Sequence, residues 1–309
     1  MLQTTIAHDF TLEGIGLHSG KMVSVECKPA QPDTGLMFHI QTPSGLKDVM
    51  ASPTSVMATE LATTIGTDGA SVSTVEHLLA TLRGMGVDNC HIYTESEIPI
   101  LDGSAAQFAD KIDQVGLAKL EEPRHVLKIT KPFELKDGKK KISAYPVNTP
   151  GAFRITYVID FPHPLIGVQQ LSMDVTPQKF FKIANARTFG FLRDVEAMRT
   201  RGLARGGSME NAIVLDDTKV LNPEGLRCKD EFVRHKILDF IGDMATMRYP
   251  FQGNFTVACS GHKFNNEFLR RIMEDGALEE IILSEESDIL PSKIDRSKLH
   301  SNRRIASVS

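Results

Sequence analysis

Long apolar runs are missing from this chain of 309 residues. No stretch approaches the ~18 residues that a membrane-spanning helix needs. The opening residues, MLQTTIAHDF, lack a basic segment followed by an apolar one, so no secretory signal is expected. Cysteine is scarce. Cys27, Cys90, Cys228 and Cys259 lie far apart with no CxxC pair. That predicts free thiols in a reducing compartment rather than a disulfide framework. An excess of positive charge is missing too. Lys and Arg number 35 against 39 Asp and Glu, a net charge of −4, so no basic field points to nucleic acid. Neither HExxH nor GxxxxGK[ST] occurs, which removes that metalloprotease class and the P-loop NTPases; GLARGGS (Gly202 to Ser208) has glycines but no P-loop. What is present is ordinary for a globular protein: 41% hydrophobic and 24% charged residues. The length predicts two domains of roughly 150 residues each, with one large domain as the alternative. The expected location is the cytoplasm.

Val23, Val25 and Cys27 alternate with Ser24, Glu26 and Lys28, which predicts a half-buried strand from Met22 to Pro29. Gly35 to Pro43 predicts a second strand and Asn89 to Glu95 a third. Helices are expected at about Ser73 to Gly84 and Ser104 to Val115, the second capped by LDGSA. The polar, proline-bearing EEPR (Glu121 to Arg124) marks the expected boundary between domains 1–121 and 125–283. The second half predicts a hairpin around Asp137-Gly138, with KDGKKK as its solvated tip. Strands follow at Phe153 to Phe161, Ala212 to Asp216 and Asn254 to Cys259. Helices are expected at about Pro177 to Ala186, Arg193 to Thr200, Asp230 to Met247 and Asn265 to Asp275. Strands then helices, twice, imply an α+β fold of two similar sheet-plus-helix layers, although no sequence repeat accompanies it. Residues 284–309 are polar and are expected to form a flexible tail.

The segment EFVRHKILDFIGDMATM carries the strongest chemical signal. At about 100° per residue, Val233, Ile237, Phe240, Met244 and Met247 form the core stripe. His235, Asp239 and Asp243 fall on another side, spaced i, i+4, i+8, where successive neighbours sit about 5–6 Å apart. Stacked carboxylates repel unless something positive compensates, and His with Asp one turn apart can share a zinc ion. The alternative is an ordinary solvated face. In SVSTVEHLLATLRG, Val75, Leu78, Leu79 and Leu82 form the apolar stripe and His77 lies opposite. Glu76 has two readings. It can complete a capping box with Ser73, or it can take a proton from water beside a metal held by His77. His262, in SGH, follows a strand and reaches a cleft or lies in an exposed loop. In RTFGF (Arg187 to Phe191), core packing is the plain reading. His8, His39, His91 and His125 carry no companion pattern.

Seven segments in order resemble the UDP-3-O-acyl-N-acetylglucosamine deacetylases, zinc amidases of lipid A biosynthesis. They are GIGLHSGK (Gly14 to Lys21), STVEHLLA (Ser73 to Ala80), EIPILDGSA (Glu97 to Ala105), ARTFGFLRD (Ala186 to Asp194), RGLARGGSMENAIVLDD (Arg201 to Asp217), DEFVRHKILDFIGD (Asp230 to Asp243) and SGHKFNN (Ser260 to Asn266). The resemblance implies two α+β domains with the active site between them, one Zn(2+) per chain, and UDP-3-O-acyl-N-acetylglucosamine as substrate. It implies His77, His235 and Asp239 as zinc ligands and Glu76 as general base. His262 would be the second acid/base group, oriented by Asp243, and Thr188 would stabilise the oxyanion. Lys236, Phe161 and Phe189 would contact the nucleotide sugar. Phe191, Val195, Gly207 and Val214 would line an acyl-chain passage near His18. One position departs from the pattern. Cys259 stands where some members carry a basic residue, and Lys263 is the candidate substitute for a diphosphate contact. The rival expectations are a zinc amidohydrolase for another N-acyl sugar and a non-catalytic sugar-nucleotide-binding protein.

Overall fold

The computed structural model describes residues 1–283, so the expected tail lies outside the described residues. The first half runs β1 (Leu2–Ile6), β2 (Phe10–Ile15), β3 (Met22–Pro29), β4 (Leu36–Thr42), β5 (Gly45–Met50), β6 (Val56–Ala58), β7 (Thr64–Thr67), β8 (Ala70–Val72), α1 (Glu76–Gly84), β9 (Cys90–Thr94), α2 (Ala106–Val115) and β10 (Leu117–Pro123). The second runs β11 (His125–Ile129), β12 (Phe133–Asp137), β13 (Lys140–Tyr145), β14 (Phe153–Phe161), β15 (Gly167–Asp174), α3 (Pro177–Ala184), β16 (Phe189–Phe191), α4 (Leu192–Thr200), β17 (Ile213–Leu215), α5 (Glu231–Met244), β18 (Phe251–Ala258), α6 (His262–Asp275) and β19 (Leu278–Ile282). Each half has its own main sheet, and the fold is α+β. The first sheet has the order β2-β3-β9-β4-β5, with β4 and β9 parallel. In the second, β18 is central and pairs with β11, β13 and β14. Among the described residues, no helix is long and apolar enough to cross a membrane.

The two sheets meet through helices rather than edge to edge. All nine residues of α1 are buried. In α5, every residue except Arg234 and Lys236 is buried. These two helices pack on each other at Gly242, where a Cβ would overlap the backbone of Glu76. Glycine at that position lets the two helices approach backbone to backbone. Neither helix has a solvated face, so each polar side chain on them needs a partner inside the protein. The ordinary solvated face offered as one reading of His235, Asp239 and Asp243 is therefore not what forms: all three are at most 5% exposed.

Several boundaries differ from the sequence expectations. Helix α1 starts at Glu76, not Ser73, because Thr74 turns the backbone to φ 60° and interrupts the helical path. Val75 is the N-cap and no side chain caps it, so the Ser73–Glu76 capping box does not form. Helix α6 starts at His262, three residues earlier than expected. EEPR is largely strand: β10 reaches Pro123 and only Arg124 separates it from β11. Its polarity belongs to an exposed strand paired with β1 rather than to a loose linker. The KDGKKK segment does span the turn between β12 and β13, with Asp137, Gly138 and Lys139 exposed.

Candidate active site

His235 and Asp239 lie one turn apart on α5, and α1 brings His77 against them. The three donor atoms lie within 4.8 Å of one another. Asp239 Oδ1 is 3.3 Å from His235 Nε2 and 3.7 Å from His77 Nε2. Ligands bonded at ~2.1 Å around a tetrahedral zinc would stand about 3.4 Å apart. The donor set therefore fits such an ion and leaves a fourth position open. Tautomer and charge agree with this. His235 Nδ1 donates to the Ala186 carbonyl at 3.1 Å, which leaves the Nε2 lone pair facing Asp239. Burial pushes the His235 imidazole down to about 3, against the pull of Asp239, so the ring is neutral. Burial alone would raise the Asp239 carboxyl. The Lys236 ammonium beside it opposes that, and the carboxyl lies well below the usual carboxylate range. Lys236 Nζ donates to Asp239 Oδ2 at 2.7 Å.

A second carboxylate and an imidazole–carboxylate pair adjoin this triad. Glu76 opens α1 immediately before His77, and its Oε2 accepts from the Thr63 backbone N–H at 3.0 Å. Burial pushes the Glu76 carboxyl up, with His262 and His77 opposing. His262 opens α6, so it does not lie in an exposed loop. Its Nε2 stands 3.9 Å from Glu76 Oε1. Its Nδ1 donates to Asp243 Oδ2 at 2.8 Å. Burial alone would lower the His262 pKa; Asp243, with Glu76 and Asp239, raises it instead to about 10. Asp239 and Asp243 are neighbours on α5 with separate duties. Asp239 faces the two histidines of the triad, and Asp243 faces His262.

Thr188 sits just before β16, its N–H donating to the Gly103 carbonyl at 2.7 Å. This stretch is anchored by Arg187, which is 1% exposed and pairs with Glu231 on α5. Beside the triad stands a small aromatic wall. The Phe161 ring is 5.4 Å from Phe189 and 6.2 Å from Phe191. Phe189 in turn is 6.3 Å from His235, with Lys236 Nζ 5.7 Å over its ring. Val214 lies on β17, opposite Gly190 of β16. Val195 lies on α4, which has no buried residue. Arg199 of α4 reaches the Gly207 carbonyl at 3.5 Å, and His18 Nδ1 accepts from the Ala204 N–H at 3.4 Å. A Cβ on Gly207 would meet the Ala204 carbonyl oxygen at 3.2 Å and Leu17 Cδ1 at 3.7 Å. Lys263 is exposed on α6, and Cys259 occupies a positive φ of 50°.

Sequence reasoning missed several participants. Asn265 donates to Asp243 Oδ2 at 2.7 Å. Thr63 donates its hydroxyl to Asp243 Oδ1 at 2.6 Å. Glu97 accepts from the backbone N–H groups of His18 and Ser19, at 2.7 and 3.0 Å, and so pins the GIGLHSGK loop. Asn265 and Glu97 stood in segments already singled out for their resemblance. Thr63 lies in ELATTI, which carries no motif. His39 and His91, passed over as unaccompanied, share a contact of 2.9 Å between ring nitrogens, with Asp48 on the other side of His39.

Two imidazoles and a carboxylate around an open position, with a second carboxylate and an imidazole–carboxylate pair alongside, are the parts of a metal-dependent hydrolase. Comparison with known proteins narrows the class. Residues 3–274 match the family model described as LpxC, UDP-3-O-acyl N-acetylglycosamine deacetylase. Curated relatives bear the name UDP-3-O-acyl-N-acetylglucosamine deacetylase. The one from Lawsonia intracellularis is 51% identical over 287 residues, covering 93% of each chain. Those from Nitratidesulfovibrio vulgaris and Myxococcus xanthus are 53% and 45% identical, the former covering 90% of each chain and the latter 91% of this chain and 89% of its own. The chain belongs to the UDP-3-O-acyl-N-acetylglucosamine deacetylase family, a family of metalloenzymes, and is a hydrolase acting on an amide.

Proposed function

We propose that this chain releases acetate from UDP-3-O-acyl-N-acetylglucosamine in the cytoplasm, as a step of lipid A biosynthesis, with zinc held by His77, His235 and Asp239. The observation that carries this reading is the placement of Glu76 and His262 side by side at the edge of that triad. When bound, zinc would act as a Lewis acid on the acetamide carbonyl and on the attacking water. Glu76, ionised, accepts the water's proton. The Thr188 hydroxyl donates to the oxygen that gains charge as the carbonyl carbon becomes tetrahedral. His262, kept cationic by Asp243, passes a proton to the departing nitrogen, so the products are acetate and a free amine.

The wall of Phe161 and Phe189 with Lys236 is assigned to the nucleotide sugar. Phe191, Val195, Gly207 and Val214, with His18, are assigned to the acyl chain. Residues 1–121 and 125–283 are assigned as two domains meeting at the site. The test is metal content and acetate release together. Alanine at His77, His235 or Asp239 is expected to drop bound zinc well below one per chain and to abolish turnover. Full metal content in all three variants would remove the assignment.

A further inference from the structure

Thr63 sits between β6 and β7, is 2% exposed, and belongs to neither helix that carries the site. All three of its polar groups are nonetheless directed at those helices. Its N–H donates to Glu76 Oε2 at 3.0 Å. Its carbonyl accepts from the N–H of Val75, the N-cap of α1, at 3.3 Å. Its hydroxyl donates to Asp243 Oδ1 at 2.6 Å. The direction of that last bond is set by chemistry, since an ionised carboxylate only accepts. The other oxygen of Asp243 is taken by His262 and Asn265, at 2.8 and 2.7 Å. Thr63 thus touches the base directly and reaches the imidazole through a single carboxylate.

Without its hydroxyl, Asp243 Oδ1 would be a buried anionic oxygen that has lost this donor. Such an atom is costly, and the carboxylate relieves it by turning. Turning Asp243 turns the bond that aims His262. The base, by contrast, is held by a backbone N–H that substitution leaves in place. We infer that Thr63 is a positioning residue that fixes the distance between the Glu76 base and the His262–Asp243 pair. The inference rests on the reading of those groups as the proton-transfer machinery.

The experiment uses the full-length, metal-loaded protein and three measurements: kcat and KM for acetate release, bound metal, and Tm. Thr63→Val keeps the shape and the backbone groups and removes only the hydroxyl. It is expected to lower kcat by about 10–100-fold, the usual effect of removing a group that orients a site ligand. KM should stay within about twofold, as for a loss confined to the transition state, and metal content should be unchanged. Thr63→Ser restores the hydroxyl and is expected to recover most of the rate. In a His262→Ala background, Thr63→Val should cost almost nothing further, because the two act through one another. An unchanged kcat in Thr63→Val would overturn the inference. Equal losses in the Val and Ser variants would do so as well, and so would a full additional loss in the His262→Ala background. If Thr63→Val does not fold, Thr63→Ala set against Thr63→Ser makes the same separation. A parent protein that releases no acetate would sink the functional reading itself. A parent that is active and loses activity in Glu76→Gln, yet tolerates Thr63→Val, sinks this inference alone.

Discussion

If Glu76 and His262 act as proposed, they set opposite limits on the working pH. The Glu76 carboxyl is pushed up by burial, so the acid side of the activity profile is expected to fall off above the ~4.3 of a free glutamate. Glu76→Gln should keep its metal and lose roughly 10²–10⁴-fold in kcat, the usual worth of a positioned base. Loss of metal in that variant would make Glu76 a structural or ligand group instead. His262 gives a second readout, in stability. In the metal-free folded protein its pKa is about 10, above the ~6.5 of an unfolded histidine. A group raised on folding contributes stability that is complete below its unfolded value and disappears as pH rises through its folded value. Urea denaturation of metal-free parent and His262→Ala should therefore show its widest gap near pH 6, narrowing towards pH 10. A gap that widens with pH would contradict the pairing with Asp243. Residues of this kind were partly legible in advance. His235, Asp239 and Asp243 share one helix, so their spacing alone aligned them. Thr63 and Asp243 are 180 positions apart, and no local pattern can announce a partnership made only by folding.

Helices α1 and α5 carry Glu76 and the three-residue donor set, so their mutual approach matters as much as the side chains they present. Gly242 has no room for a Cβ because the Glu76 backbone occupies that space. Backbone cannot swing aside as a flexible side chain would. Gly242→Ala is expected to destabilise the protein by about 1–3 kcal/mol, as overpacking does. It should also lower kcat, because the first residues pushed are Glu76 and His77. Urea denaturation and steady-state kinetics on the same variant check both; a variant as stable and active as the parent would show that the helices tolerate a wider spacing. Most long elements were readable from periodicity. The strands β3 and β14 begin and end where alternation placed them, and α3 to α6 lie close to their expected spans. Several elements escaped, the eight-residue β15 among them. Short strands such as β16, with three residues, are too brief for a period to register. The start of α1 was misplaced because Ser73 and Glu76 have the spacing of a cap, while the positive φ of Thr74 has no sequence signature in a non-glycine residue. The near-complete burial of α5 was not readable from its sequence, whose polar stripe is equally compatible with a solvated face.

The two halves meet at the triad, with His77 from one and His235 and Asp239 from the other, so the site exists only in the assembled chain. The excursion β16–α4–β17 extends from this centre, and α4 leaves Leu192 half exposed and buries nothing. A segment so placed suits a face that an acyl chain covers, each buried CH₂ contributing about 0.8 kcal/mol before ordering costs. The acylated sugar nucleotide should accordingly be hydrolysed with a far higher kcat/KM than UDP-N-acetylglucosamine. Gly207→Leu should weaken that preference while keeping metal and fold, since its side chain would press on Ala204 and Leu17 near His18. Similar kcat/KM values for the two substrates in the parent would favour a general amidohydrolase. The claim on which everything else depends is that the buried triad holds the metal that turns the substrate over. The direct measurement is to strip the protein with a chelator, confirm its secondary structure, and add zinc back in steps while following acetate release. Activity is predicted to vanish on stripping with the fold intact, then to rise in proportion to added zinc and level off at about one ion per chain. Undiminished acetate release by the stripped protein would contradict the account.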